Sequence, residues 1–195
     1  MDAFESLIET LLRRSGYWTR TSFKVDLTQA EKRLIGRPST PRWEIDIVAF
    51  KGGTNEILAV ECKSYLHSRG VVFRDGEFEP PNRYKLFTDR TLRRVVLNRL
   101  RRQLLREGAV PRKPSVKLCL AAGRIATCAD RGGLAHHMSR HRWRLFDEEW
   151  IRQQLGQVAN ADYENDVAHV VAKLTLQPGQ RQHSSARRSD SPNVM

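Results

Sequence analysis

Two apolar, strand-like runs separated by a short polar turn confine the centre of this chain to a β-hairpin. The first run is Trp43-Glu44-Ile45-Asp46-Ile47-Val48-Ala49-Phe50. The turn is Lys51-Gly52-Gly53-Thr54-Asn55, and the second run is Glu56-Ile57-Leu58-Ala59-Val60-Glu61-Cys62-Lys63. Side chains alternate between the faces of a strand, so Glu44 and Asp46 are expected on one face of the first run and Glu61 and Lys63 on one face of the second. If Lys51 and Glu56 bracket the turn, Asp46 faces Glu61. A slip of one residue would pair Asp46 with Val60 instead. In the first register Leu58, Val60 and Cys62 point the other way, into the core.

Elements of both kinds flank the hairpin. Phe4, Leu7, Ile8, Leu11 and Leu12 recur at helical spacing, which predicts an amphipathic helix over 2–14, ended by Gly16. Residues 17–27 read as a strand carrying Trp18, Phe23, Val25 and Leu27. The polar stretch Glu31–Arg42, with Gly36, Pro38 and Pro41, reads as a loop. Residues 64–83 read as irregular, with Pro80-Pro81 blocking regular structure. A long helix is expected over 84–107, its apolar stripe made of Val96, Leu97, Leu100 and Leu104. Residues 116–125 form an interior strand, and a Gly- and His-rich segment leads to a strand at 143–146. Asp147 is placed to cap a helix through Leu155, and a last helix runs over about 162–174. The alternation predicts an α/β fold with a mixed central sheet flanked by helices. It implies a single domain over 1–175 and a basic tail over 176–195, whose composition predicts disorder. Trp43, Trp143, Trp150 and Trp18 are expected to pack into the core.

Charge narrows the partners. The formal net charge is +12 and most of the positive charge is arginine, which favours a polyanion, nucleic acid above all. Cys62, Cys119 and Cys128 have no metal-binding or disulfide spacing, and two of them sit in apolar runs as small hydrophobes. No apolar run reaches the ~20 residues of a membrane span, and the N-terminus lacks a signal pattern. A soluble, cytoplasmic protein without membrane contact is expected.

The hairpin also carries chemistry. Two carboxylates brought together repel, and a fold tolerates this when positive charge lies between them. Lys63 supplies part of it and a divalent cation more. Asp46, Glu61 and the backbone carbonyl of Cys62 are hard oxygen ligands that suit Mg²⁺, with Mn²⁺ as a substitute. Such an ion polarises a phosphoryl oxygen and acidifies a water, while Lys63 orients that water or steadies the developing charge. The bland alternative is a surface ion pair between Glu61 and Lys63.

Asp46 followed by Glu61-Cys62-Lys63 across a hairpin resembles the PD-(D/E)xK nuclease superfamily, whose members share the restriction-endonuclease-like fold. The segment Phe4-Glu5-Ser6-Leu7-Ile8-Glu9-Thr10-Leu11-Leu12, then Gly16-Tyr17, is similar to the first helix of Mrr-type restriction enzymes and archaeal Holliday-junction resolvases. The resemblance covers roughly residues 1–125. It implies a Mg²⁺-dependent endodeoxyribonuclease with Asp46 and Glu61 as metal ligands and Lys63 as the catalytic lysine. It also implies that Glu5, in the first helix, joins the site. Ile45 stands where many members have proline. Glu9 is expected to pair with Arg13 one turn on, and Glu44 to be an idle acid.

For the nucleic acid, Arg90, Arg94 and Arg101 cluster on one flank of the long helix and Arg42 precedes the first active strand. Guanidinium groups bind phosphate bidentately. Tyr65 and His67 are expected to continue the strand past Lys63 on its active face. His136, His137 and His141 lack the ligand spacing of a zinc site. DNA is the expected partner, with RNA as an alternative. A homodimer would supply the two sites that cutting both strands needs. The rival reading is a catalytically inactive protein that binds DNA or RNA.

Overall fold

The computed structural model describes residues 2–39, 42–160 and 167–176. In chain order the elements begin with α1 (Ala3–Arg14), β1 (Trp18–Val25), α2 (Gln29–Leu34), β2 (Trp43–Lys51), β3 (Glu56–Lys63), β4 (Val72–Arg74) and β5 (Glu77–Glu79). They continue with α3 (Lys85–Thr88), α4 (Arg90–Arg106), β6 (Ser115–Ala122), α5 (Cys128–Arg140), β7 (Arg144–Phe146), α6 (Glu148–Asn160) and α7 (Val167–Leu176). The expected mixed α/β architecture is present. A five-stranded sheet runs β1-β2-β3-β6-β7, antiparallel through β3 and parallel from β3 to β7.

Helices cover both faces of this sheet. On one side Phe4, Ile8, Leu11 and Leu12 of α1 pack with Ile151 and Val158 of α6 against Leu58, Val60 and Cys62 of β3. On the other, Leu92, Val96, Leu100 and Leu104 of α4 and Leu134 and Met138 of α5 pack against Ile57 and Ala59 of β3 and Leu118 and Leu120 of β6. Both faces of β3 are therefore buried, as its near-continuous apolar sequence requires.

Local chemistry sets the element ends. Asp2 accepts from the Glu5 amide at 2.8 Å and Glu5 accepts from the Asp2 amide at 3.2 Å, a capping box that starts α1. At the start of β3, Glu56 is buried but fully paired. It meets Lys117 and Arg144 at 2.7 Å each and accepts from the Tyr17 hydroxyl at 3.2 Å, tying β3 to β6, β7 and the chain that enters β1.

Several expectations are corrected. The stretch read as a loop from Glu31 begins inside α2, which Thr28 starts through a second capping box with Glu31. Glu31 then grips Arg99 of α4 through contacts of 2.6–3.2 Å. The expected long helix is broken at Asp89, whose carboxylate accepts from the Leu92 amide at 2.9 Å and starts α4 afresh. The segment before Pro80 is a small hairpin of β4 and β5. The Gly- and His-rich stretch is α5, capped by Thr127. Its Gly133 has a physical reason, because a Cβ there would lie 3.3 Å from Phe73 Cδ1 of β4. Trp18 is 83% exposed and outside the core. Leu176 closes α7 rather than opening the tail, and the tail expected to be disordered otherwise lies outside the described residues. Among the described residues no helix is long and apolar enough to cross a membrane.

Asp130 joins α5 to the small hairpin. Its buried carboxylate accepts from the Phe73 amide at 2.8 Å and from the Thr127 hydroxyl. Burial pulls this carboxyl upward, but the bonds from Thr127 and Phe73 outweigh it and hold the group below its ordinary range. Asp130→Ala is expected to lose about 2–3 kcal/mol in urea unfolding at neutral pH. The native-minus-variant difference should shrink as pH falls through the depressed carboxylate range, because a lowered acid stabilises only while ionised.

Candidate active site

Asp46 sits where the pairing of β2 fails on both sides. The β1–β2 ladder pairs Thr21 with Ile47 and then Phe23 with Ile45, leaving Ser22 and Asp46 out. Ser22 has φ of +48°, a left-handed backbone unusual for a residue other than glycine. The β2–β3 ladder ends at Ile47 and Val60, one step short of Asp46 and Glu61. This is the expected register, with Lys51 paired to Glu56. In place of a backbone acceptor, Asp46 Oδ2 takes the Cys62 amide at 2.6 Å. The pleat changes face here. Ile45 joins the α4–α5 core and Ile47 the α1–α6 core, so simple alternation does not relate Glu44 to Asp46.

Glu61 lies beside Asp46 and is 17% exposed in its side chain. Its Oε1 is fully buried and meets no hydrogen-bond donor among the described residues. Its Oε2 lies 3.9 Å from Lys63 Nζ. Burial, and then the Asp46 charge, push the Glu61 carboxyl up to about 8 against the pull of Lys63. Asp46 is also raised, chiefly by burial. Glu5 is raised by burial too, with Asp46 adding to the shift. The fold therefore gathers Asp46, Glu61, Lys63 and Glu5 at one end of the sheet.

Not every expected role is met as drawn. The Cys62 carbonyl accepts from Lys63 Nζ at 3.2 Å, so this oxygen already has a cation beside it. Glu5 closes the α1 capping box through its carboxylate. Among the described residues no group of three or more His, Cys, Asp or Glu is arranged to hold a metal ion. Asp46 and Glu61 are the carboxylates suited to one, and the buried, unpartnered Glu61 oxygen fits a hard cation. Glu9 accepts from the Thr19 hydroxyl at 2.8 Å rather than pairing with Arg13.

The expected nucleic-acid residues fall in two places. Arg90, Arg94 and Arg101 are exposed along α4, where no carboxylate pairs with them among the described residues. Arg42 is held by Asp26 at 2.9 Å, against β1 rather than with the carboxylates. Strand β3 stops at Lys63, and Tyr65 turns the chain with φ of +45°. Tyr65, Leu66 and His67 then wall a hollow of about 410 Å³ with Asp2 and Phe4 of the α1 start.

Sequence reasoning missed one positioning residue, Gly123. Its amide donates to the Lys63 carbonyl at 2.9 Å. A Cβ there would come within 2.3 Å of the Ser64 carbonyl oxygen and 3.1 Å of the Phe4 ring. Only glycine lets the ends of β3, β6 and α1 close on each other. The signal was a glycine directly after an apolar strand, which is common enough to carry no weight alone.

Comparisons with family models, curated proteins and solved structures returned no match for this chain.

Two outcomes are expected. In chelator, the native protein should lose stability as pH rises from the ordinary carboxylate range through about 8, because folding then traps an ionised Glu61. The slope from this group is at most about 1.4 kcal/mol per pH unit, and Glu61→Gln should remove that part in denaturant titrations. Gly123→Ala should lower the melting temperature more than alanine at the exposed Gly53 does, since its Cβ meets backbone rather than open space.

Proposed function

We propose that this chain is a metal-dependent nuclease of the PD-(D/E)xK kind, with a restriction-endonuclease-like fold, that hydrolyses DNA phosphodiester bonds. RNA is the second substrate class. The observation that carries this reading is the unpartnered, buried Glu61 oxygen beside Asp46, with Lys63 Nζ 3.9 Å from the other Glu61 oxygen. Isolated buried carboxylates are costly unless a cation compensates them. Asp46 and Glu61 would hold Mg²⁺ or Mn²⁺, with the Cys62 carbonyl joining if Lys63 turns toward substrate. When bound, the ion supplies charge neutralisation at the phosphoryl oxygen and a more acidic water.

The chain's own residues have separable tasks. The Cys62 amide holds Asp46 in place through its 2.6 Å bond. Lys63 stands next to the acids, where an ammonium steadies charge developing on the phosphate or orients the attacking water. Glu5 adds negative potential from the start of α1 and so favours a cation. The arginines of α4 offer phosphate contacts away from the bond being cut. Cutting both strands of a duplex would call for two copies of the chain.

One observation favours the rival reading, a protein that binds nucleic acid without cutting it. Lys63 Nζ donates to the Cys62 carbonyl at 3.2 Å, so the amine and one of the expected metal ligands already satisfy each other. The experiment that separates the readings is plasmid and oligonucleotide cleavage in Mg²⁺ or Mn²⁺, run on native protein and on Asp46→Asn, Glu61→Gln and Lys63→Ala. Each variant should fall by at least about a hundredfold in rate while still melting cooperatively. Mn²⁺ should also raise the melting temperature of the native protein and not of Asp46→Asn. Cleavage that survives in Lys63→Ala and Asp46→Asn would remove the assignment. Tight, salt-sensitive binding with no cleavage by the native protein would establish the rival.

A further inference from the structure

A second surface carrying cationic side chains lies on α5, near Arg93 of α4, whose guanidinium covers the Trp143 ring. Helix α5 and the small β4–β5 hairpin enclose an open hollow of about 940 Å³. Phe73, Arg74, Asp75 and Gly76 form one wall, and one face of α5 from Ala129 through His141 forms the other. From Arg131 to Arg142 the sequence holds Arg131, His136, His137, Arg140, His141 and Arg142 and no acid. Arg131 is taken by Glu148 and Glu149 at 2.8 and 2.6 Å. Arg140 is exposed, and no carboxylate pairs with it among the described residues.

Two acids, Asp75 and Asp130, share the lining with Arg74 and Arg140. Asp130 is buried, and its oxygens are occupied by the Phe73 amide and the Thr127 hydroxyl, with Arg74 at 3.9 Å. Asp75 is the exposed acid of the lining. His137 belongs to the wall itself, its ring 4.9 Å from Phe73 and 4.4 Å from His141. What faces outward is Arg74 and Asp75 on one side and His136 and Arg140, one helical turn apart, on the other.

The position of the hollow gives it meaning. Both of its walls spring from the end of the sheet that bears Glu61 and Lys63. Ala122 of β6 pairs with Lys63, Gly123 donates to the Lys63 carbonyl, and Val71 is bridged to Ile125 just before the two walls begin. Glu61 and Lys63 also share strand parity with Ile57 and Ala59, which face the α4–α5 layer. A nucleic-acid strand lying in the hollow would therefore lead toward the carboxylates.

We propose that the groove between α5 and the β4–β5 hairpin is a binding tract for a nucleic-acid strand, holding its phosphodiester backbone through Arg74, His136 and Arg140 beside the cleavage site. The proposal rests on the nuclease reading for the identity of its polyanion. Guanidinium and imidazole donors on opposite walls suit a chain of phosphates. The groove's openness suits a continuous strand rather than an enclosed small ligand.

The test measures binding and cleavage separately on the full chain. Affinity for short fluorescein-labelled single-stranded and duplex DNA, and for RNA of the same sequence, is read by anisotropy in chelator across a range of salt. Arg140→Gln combined with His136→Gln should weaken binding about tenfold and reduce the salt slope by about one. Both side chains are exposed, so the variant should melt like the native protein. Arg13→Gln, an exposed position in the last turn of α1 on the opposite layer, controls for bulk charge and should change affinity less than twofold. Unchanged affinity in the groove variant would overturn the proposal, as would an equal loss in Arg13→Gln. Displacement of DNA by poly-glutamate as readily as by unlabelled DNA would overturn the nucleic-acid assignment. Binding lost in the groove variant, together with no cleavage by native protein in Mg²⁺ or Mn²⁺, would support the tract and refute the nuclease reading. Native cleavage with unimpaired binding in the variant would do the reverse.

Discussion

The hydrogen bond from the Cys62 amide to Asp46 Oδ2 is the constraint on which the candidate site turns. It forms because β2 loses its ladder on both flanks at this one residue. A backbone amide in the middle of a sheet must find an acceptor, and here a side chain takes that part. The left-handed backbone of Ser22 on the neighbouring strand belongs to the same distortion. Strain of this kind is tolerated where surrounding packing enforces it, and it tends to gather at functional positions. Its effect is to aim one carboxylate along the sheet toward the strand that carries the other.

Packing then makes the pair electrostatically tense. With helices on both faces of β3, the Glu61 side chain has little access to water, and its pKa rises to about 8. The opposite end of the same strand shows how this fold treats an acid whose role is structural. Glu56 is more deeply buried than Glu61, yet it is met by Lys117, Arg144 and the Tyr17 hydroxyl. Two acids on one strand thus receive opposite treatment, one satisfied and one left short of partners. A buried polar group without partners lowers stability, so this asymmetry is physical support for a ligand-binding role at the Glu61 end.

Much of this was legible in the residues. Strand pairing between 43–51 and 56–63, with its register, followed from the apolar runs and from the turn length between Lys51 and Glu56. Burial of Leu58, Val60 and Cys62 followed from alternation. Three misreadings share one cause, which is that short polar signals were outweighed by composition. The box formed by Thr28 and Glu31 lay inside a stretch rich in proline, glycine and charge. Asp89 interrupts a helical pattern whose apolar spacing runs straight through it. Gly132 and Gly133 argue against a helix until Phe73 is seen to press on the second of them. Trp18 was assigned to the core on residue type, and an edge strand left it outside.

The amino-acid order alone determined the mixed α/β class, the central hairpin and the presence of two acids and a lysine near its open end. Those depend on periodicity and turn length, which are local properties. Tertiary structure decided which acid is satisfied and which is not. It also decided that the Cys62 carbonyl faces Lys63, that Glu5 closes a helix cap while still raising its neighbours, and that α5 and a distant hairpin share a groove. Each of these depends on contacts between segments far apart in the chain, and burial and field at a side chain arise only once such segments have met.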